Sequence, residues 1–360
     1  MRIAVLGVGL IGGSIGLAAR DRLAAEVAGY DPDAKLLARA GELSAVGSTH
    51  DSIADAVAGA EIVFCAAPVG VLRDVARDAL TAAGKDTAVT DVGSVKRDAI
   101  AALGSDPRFV GGHPLAGAET AGVENARADL FDGARWYLTP TPRTGGLLYD
   151  RVQRAIAGMG ARPQAIDAQA HDRLMATVSH LPHVLANVLV AQAADALTGD
   201  YSERIPEVGP SFRDAARVAG ANPAIWGDIL AGNREAVADQ VEAAAARLSD
   251  AAELLRSGDP DSIAAWHSGA ADHRRGLLAE DRAGGRLREL RVLVPNTPGV
   301  VAQIALALGD GGVNIEDMAL HPSADMRSGA ISLFVAGDDD ARRAADLIGA
   351  LGHDVVPVER

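Results

Sequence analysis

Apolar and polar residues follow two different periods along the first half of the chain. Short β-branched runs at 2–6, 27–30, 61–67, 88–92, 108–110, 136–140 and 162–166 read as strands. Helical spacing appears between several of them, at 15–23, 34–40, 53–57, 71–82 and 147–159. Buried strands separated by helices predict an α/β fold with a parallel, doubly wound sheet of Rossmann type, whose ligands sit beyond the carboxyl ends of the strands. After Asp167 the strand signal nearly vanishes, and 168–278 reads as long helices. The apolar run 184–197 within it suits a buried interhelical or dimer-core helix. A linker at Ala283-Gly284-Gly285 then leads to strand 287–294, helix 300–308, strands 316–321 and 330–336, helix 339–350 and strand 354–358. That βαββαβ order predicts a ferredoxin-like unit. The expected domains are 1–167, 168–282 and 287–360.

Charge and cysteine usage narrow the function. A net charge of -14 over 360 residues disfavours nucleic-acid and anionic-membrane partners, so an anionic substrate needs a locally basic pocket. The single cysteine, Cys65, lies in the apolar run 62–67, where it forms no intramolecular disulfide and reads as an inert thiol. The N-terminus enters a strand directly, without signal-peptide anatomy, and no membrane-length stretch is free of charges and polar breakers. A cytoplasmic protein is expected.

Candidate chemistry falls at the predicted strand ends. The first strand runs into GVGLIGGS at 7–14 and then a helix, which is the context that gives G-x-G-x-x-G its meaning. Gly7 allows the tight turn, Gly9 lets backbone approach a pyrophosphate, and Gly12 lets helix pack on strand. The helix N-terminus adds amide donors for phosphate. Asp31, about 20 residues on, can accept from a ribose and repel a 2′-phosphate, which favours NAD over NADP. Leu10, Ile11, Ala67, Pro68, Asp91 and Ser94 complete the expected cofactor site. Ser94 also suits a helix N-cap, or a hydrogen bond to His113. GGHPLAGAE at 111–119 presents His113 on a loop held by Pro114, where an imidazole can do acid–base work.

In the helical region, His180 and His183 share a face if the helix survives Pro182. A third ligand at helical spacing is lacking, so no metal is expected. Arg213 and Arg217 lie four apart, a spacing suited to gripping a carboxylate. Trp226 reads as a core or interface residue.

Taken in order, GVGLIGGS, DVGSVK at 91–96, GGHPLAG with Glu119, SHLPH at 179–183 and FRDAAR with Trp226 resemble the bacterial prephenate/arogenate dehydrogenases of tyrosine biosynthesis. LVPNTPGVVA and GGVNIED in the C-terminal unit resemble an ACT domain. The likeness spans essentially the whole chain, and no chorismate mutase extension precedes Met1, as expected of a single-activity form. The resemblance implies NAD-dependent oxidation of a cyclohexadienol with loss of CO2, giving 4-hydroxyphenylpyruvate from prephenate or tyrosine from arogenate. It implies His113 as the base, with Ser94 orienting it and His183 as the next candidate. Arg217 would hold a substrate carboxylate, with Arg213 as the poorer candidate, while Ser179, Glu119 and Trp226 border the pocket. It further implies a homodimer through the helical domain. An amino-acid effector such as tyrosine would bind near Asn296, Pro298, Gly299, Asn314 and Ile315. The two substrates differ by a ketone against an ammonium, which a few pocket contacts would discriminate.

Two other classes compete. A β-hydroxy-acid dehydrogenase would need a catalytic lysine in its helical domain, and 168–278 contains none. A non-catalytic NAD and amino-acid sensor would not need the intact fingerprint, Ser94 and His113.

Overall fold

Strand β1 (Arg2–Leu6) shows how the first layers are built, because its alternate residues feed two separate cores. Ile3 and Val5 pack on one face of the sheet, while Ala4 and Leu6 pack on the other. This computed structural model describes residues 1–117, 120, 122–197, 208–279, 287–315, 317–322 and 328–357. They fall into two compact units, Met1–Ser249 and Asp250–Arg360.

The first unit alternates α1 (Leu10–Leu23), β2 (Glu26–Tyr30), α2 (Ala34–Glu42), β3 (Ser48–Thr49), α3 (Ile53–Val57), β4 (Ile62–Cys65), α4 (Val69–Ala82), β5 (Ala88–Asp91) and α5 (Arg97–Leu103). It continues through β6 (Phe109–Pro114), β7 (Arg135–Thr139), α6 (Gly146–Gly158) and β8 (Arg162–Ala165). Among the described residues the sheet order is β3-β2-β1-β4-β5-β6-β7-β8. Helices α1, α2 and α6 cover the Ile3 face, and α3, α4 and α5 cover the Ala4 face. The order reverses between β1 and β4, which opens the crevice where such sheets bind ligands.

Contrary to what the strand pattern predicts, the sheet is not parallel throughout. Strands β3 to β6 are parallel, but β7 pairs antiparallel to β6, with His113 opposite Tyr137, and β8 runs parallel to β7. The apolar run at 136–140 was enough to predict a strand. Its direction depends on the connection across 120–132, whose described residues include a short 3₁₀ turn at Val123–Asn125.

Beyond β8, α7 (Ala168–Met175), a π-helical turn (Ala176–His180) and α8 (Leu181–Leu197) follow one another without a break. The helix therefore survives Pro182. A wide turn sits just before the proline, which has no amide to donate and whose ring crowds the preceding turn. This run is long and apolar enough, by length and composition, to cross a membrane, although His180, Pro182, His183 and Asn187 interrupt it. Leu185, Val188 and Val190 remain exposed along it. Next come α9 (Pro210–Ala216), a 3₁₀ turn (Arg217–Gly220), α10 (Pro223–Gly232) and α11 (Arg234–Ser257), the last of which runs through the boundary between the units.

The second unit holds α12 (Pro260–Ala279), β9 (Leu287–Pro295), α13 (Val300–Asp310), β10 (Asp317–Pro322), β11 (Ser328–Ala336), α14 (Gly337–Ala350) and β12 (Asp354–Pro357). Its antiparallel sheet is ordered β10-β11-β9-β12. Leu290, Val292, Ile331, Leu333 and Val335 pack against Ile304, Leu308 and Ile348 of α13 and α14. The linker at 283–285 lies outside the described residues.

Candidate active site

The nucleotide end of the first unit is shaped by what its glycines exclude. Gly7 has φ 95°, and a Cβ there would meet the Ala66 carbonyl oxygen at 2.6 Å. A Cβ at Gly12 would collide with the Gly7 carbonyl, so α1 can lie close on β1 only with glycine at that position. At Gly9, the N-cap of α1, the same test meets nothing within 4 Å. Backbone is thus exposed to open space at a helix N-terminus, where phosphate oxygens are stabilised. Asp31 directly follows β2, with its carboxylate oriented by two amides, from Val8 at 3.0 Å and Asp33 at 2.9 Å. Its remaining lone pairs can accept from ribose hydroxyls. These features fit a dinucleotide. Leu10 and Ile11 begin α1, while Ala67 and Pro68 follow β4. Asp91 closes β5, with Ser94 half-buried three residues on. Burial pushes the Cys65 thiol well above its ordinary range, so it is no nucleophile.

At the carboxyl ends of β5 and β6, buried polar groups interlock. Lys96 has no exposed surface; its Nζ pairs with Asp91 Oδ2 and donates to the Gly112 carbonyl at 2.7 Å. Asp91 accepts from the amides of Gly112 (2.9 Å) and Gly93 (3.0 Å). This brace fixes the backbone immediately before His113. His113 Nδ1 lies 2.9 Å from His171 Nε2, and His171 Nδ1 lies 2.8 Å from Asp172 Oδ1. Asp172 also accepts from the amides of Lys96 (2.8 Å) and Arg97 (2.9 Å), and so caps α5 from the helical region. Asn233 Nδ2 donates to the Asp172 carbonyl at 2.7 Å and lies 3.1 Å from His180 Nδ1.

Burial holds the His113 imidazole well below its ordinary value, and the neighbouring basic groups of His171, Lys96 and His180 push the same way by disfavouring a second positive charge beside them. Burial also pushes His180 down to about 4. Burial would raise the Asp172 carboxyl, but the His171 hydrogen bond and the two amides outweigh it and leave it below its usual value. Burial and the Arg217 charge lower His183, against a hydrogen bond with the Val218 backbone. His113 is therefore a neutral base near neutral pH, half-buried at the carboxyl end of β6.

The predicted site residues separate into two sets. His183 stacks on Trp226 with ring centroids 3.4 Å apart, His180 meets the same indole edge-on at 6.0 Å, and the Arg217 charge acts on His183. Ser179 lies half-buried in the π turn between them. Arg213 is exposed on α9, and the helix tightens to 3₁₀ at Arg217, so the two arginines do not share one continuous α-helical face. Glu119 lies outside the described residues. Ser94 neither caps α5, whose N-cap is Lys96, nor hydrogen-bonds His113; the imidazole is held by His171 instead. Sequence reasoning missed His171, Asp172, Lys96 and Asn233. Only tertiary packing joins them, although the adjacent His-Asp pair opening a helix was a visible hint. Asn296, Pro298 and Gly299 form the exposed β9–α13 loop of the second unit, while Asn314 and Ile315 follow α13.

Family models match residues 15–164 (prephenate dehydrogenase, nucleotide-binding domain) and 167–268 (prephenate dehydrogenase, dimerization domain). The prephenate dehydrogenase of Bacillus subtilis (strain 168) is 29% identical over 363 residues, covering 97% of this chain and 95% of its own. The crystal structure of prephenate dehydrogenase from A. aeolicus in complex with hydroxyphenyl propionate and NAD+ aligns with a TM-score of 0.69 and 29% identity. That alignment covers 76% of this chain and 97% of the other. Synechocystis arogenate dehydrogenase aligns with a TM-score of 0.67 and 25% identity, over 76% and 99% of the two chains.

Proposed function

The chain belongs to the prephenate dehydrogenase family, and on that premise we propose that it oxidises prephenate with NAD, releasing CO2 and 4-hydroxyphenylpyruvate for tyrosine biosynthesis. It is an NAD-dependent oxidoreductase. The observation that carries this reading is His113, an imidazole on a braced strand end at the same carboxyl edge of the sheet whose β1 leads into the dinucleotide fingerprint.

Bound NAD supplies the hydride acceptor. Gly7, Gly9 and Gly12 with Leu10 and Ile11 hold its pyrophosphate side, Asp31 its ribose, and Ala67, Pro68, Asp91 and Ser94 border the same crevice. His113 takes the proton of the ring hydroxyl as hydride departs, which builds carbonyl character at that carbon. Arg217 holds a substrate carboxylate, while Ser179, His183 and Trp226 line the pocket. The chain's division into a nucleotide domain (1–167), a helical domain (168–282) and a regulatory domain (287–360) belongs to the same proposal. The β10-β11-β9-β12 order supports a ferredoxin-like ACT domain that takes an amino-acid effector such as tyrosine at its Asn296–Gly299 and Asn314–Ile315 loops. The exposed Leu185, Val188 and Val190 support a homodimer through α8 in a cytoplasmic enzyme.

The test is NAD and NADP reduction by the purified chain with prephenate and arogenate side by side. Turnover of prephenate with NAD, far better than with NADP, is expected. Oxidation of arogenate alone would reassign the substrate, and oxidation of neither would defeat the reading.

A further inference from the structure

The chain from His113 to Asp172 fixes more than a ring position. An ionised carboxylate carries no proton, so the contact between Asp172 Oδ1 and His171 Nδ1 requires the hydrogen to be on Nδ1. Asp172 is kept ionised by its three donors, which are the His171 ring and the amides of Lys96 and Arg97. A neutral His171 protonated on Nδ1 has a bare lone pair on Nε2, and that atom faces His113 Nδ1 at 2.9 Å. The hydrogen between the two rings must then belong to His113 Nδ1. The reverse arrangement would set a histidine lone pair against a carboxylate at 2.8 Å, which is repulsive.

We propose that His171 and Asp172 are positioning residues for the oxidation, holding His113 in the Nδ1–H tautomer so that its Nε2 lone pair is the one offered to the substrate hydroxyl. This inference rests on the function proposed above. The proton step balances simply. The substrate O–H bond breaks and an Nε2–H bond forms on His113, while the oxygen keeps its electron pair and becomes a carbonyl as hydride passes to NAD. The positive charge gained by His113 is then met by the His171 lone pair at Nδ1, with the Asp172 carboxylate behind it. Transfer of the Nδ1 proton to His171 Nε2 would place that charge directly against the carboxylate.

The neighbouring groups leave this role to His171. Lys96 and Asp91, from the end of β5, neutralise each other. Tyr137 of β7 presents its ring at 82° to His171, with centroids 5.7 Å apart. His180 of the π turn lies beside Asn233 and is pushed down to about 4, so it is neutral at working pH. Asn233 holds the Asp172 backbone from the other side.

The experiment uses the full chain with His171→Phe, which keeps the ring volume, and His171→Gln, whose amide oxygen can still accept from His113. Ring-nitrogen NMR of His113 reports the tautomer without substrate or cofactor, and thermal melting checks folding. In the unmodified chain His113 should appear protonated on Nδ1 when neutral. In His171→Phe that preference should be lost, and kcat should fall about 10²-fold with KM little changed, as when a catalytic imidazole loses its orienting partner. His171→Gln should recover roughly tenfold of that loss. A folded His171→Phe protein with unaltered kcat and an unaltered His113 tautomer overturns the proposal. Should the unmodified chain oxidise neither prephenate nor arogenate, the functional reading fails, and the NMR arm still decides the tautomer.

Discussion

Between β5 and α7 the first unit buries Asp91, Lys96, His171 and Asp172, with His180 and Asn233 just beyond, all nearly inaccessible to solvent. The second unit fills its interior with leucine, isoleucine and valine, and among its described residues Ser332 is the buried polar one, donating to Glu289 at 3.1 Å. Both interiors fold, but they specify different things. An apolar core holds a shape and tolerates small shifts. A hydrogen-bonded polar network holds hydrogens at particular atoms, at a desolvation cost that an equally packed apolar core would avoid. The first unit carries that cost where His113 must be aimed. The second unit leaves the polar Asn296–Gly299 loop at the surface.

The largest test of this contrast is His113→Asn, which removes the base and leaves the brace intact. Turnover should fall by roughly 10²–10⁴-fold with a much smaller change in KM, read by steady-state kinetics. Near-normal turnover in a folded variant would move the chemistry elsewhere, with His183 the next candidate. Lys96→Met should come second. It strands Asp91 in a buried site and should cost about 3–5 kcal/mol in denaturant unfolding of the first unit, along with turnover. A loss under about 1 kcal/mol would mean the pair is not held as a network. Leu333→Ala sharpens the comparison from the other side. It should cost about 2–5 kcal/mol in the second unit through its cavity, with kcat unchanged, because no proposed catalytic group depends on that core. A parallel fall in kcat would contradict the assignment of catalysis to the first unit.

The parts of this arrangement that were legible in the sequence are the locally encoded ones. The fingerprint, the strand and helix alternation and the βαββαβ order follow from period and from glycine placement over a few residues. The direction of β7 was not legible, since an apolar run reads the same in either direction. The cap of α5 was not legible either. Ser94 has a good capping side chain, but the amides of Lys96 and Arg97 are satisfied by Asp172, more than 70 residues away. His113 could be recognised from its Gly-Gly and proline neighbours, and part of the reason for those glycines is now visible. A Cβ at Gly111 would collide with Thr139 of β7, and one at Gly112 with β5. For His171 the adjacent Asp172 was the one local hint, and its other partner, His113, comes from β6, 58 residues earlier.

Burial keeps His113 a neutral base at the end of β6, and the pH dependence of kcat/KM tests this most directly, because that ratio reports groups on the free enzyme. A histidine held below its ordinary value keeps its lone pair as pH falls through about 6.5 and is protonated only further into acid. The expected profile stays level through that point and declines well below it, and the decline is absent in His113→Asn. A decline centred at or above about 6.5, or the same decline persisting in His113→Asn, would contradict the claim.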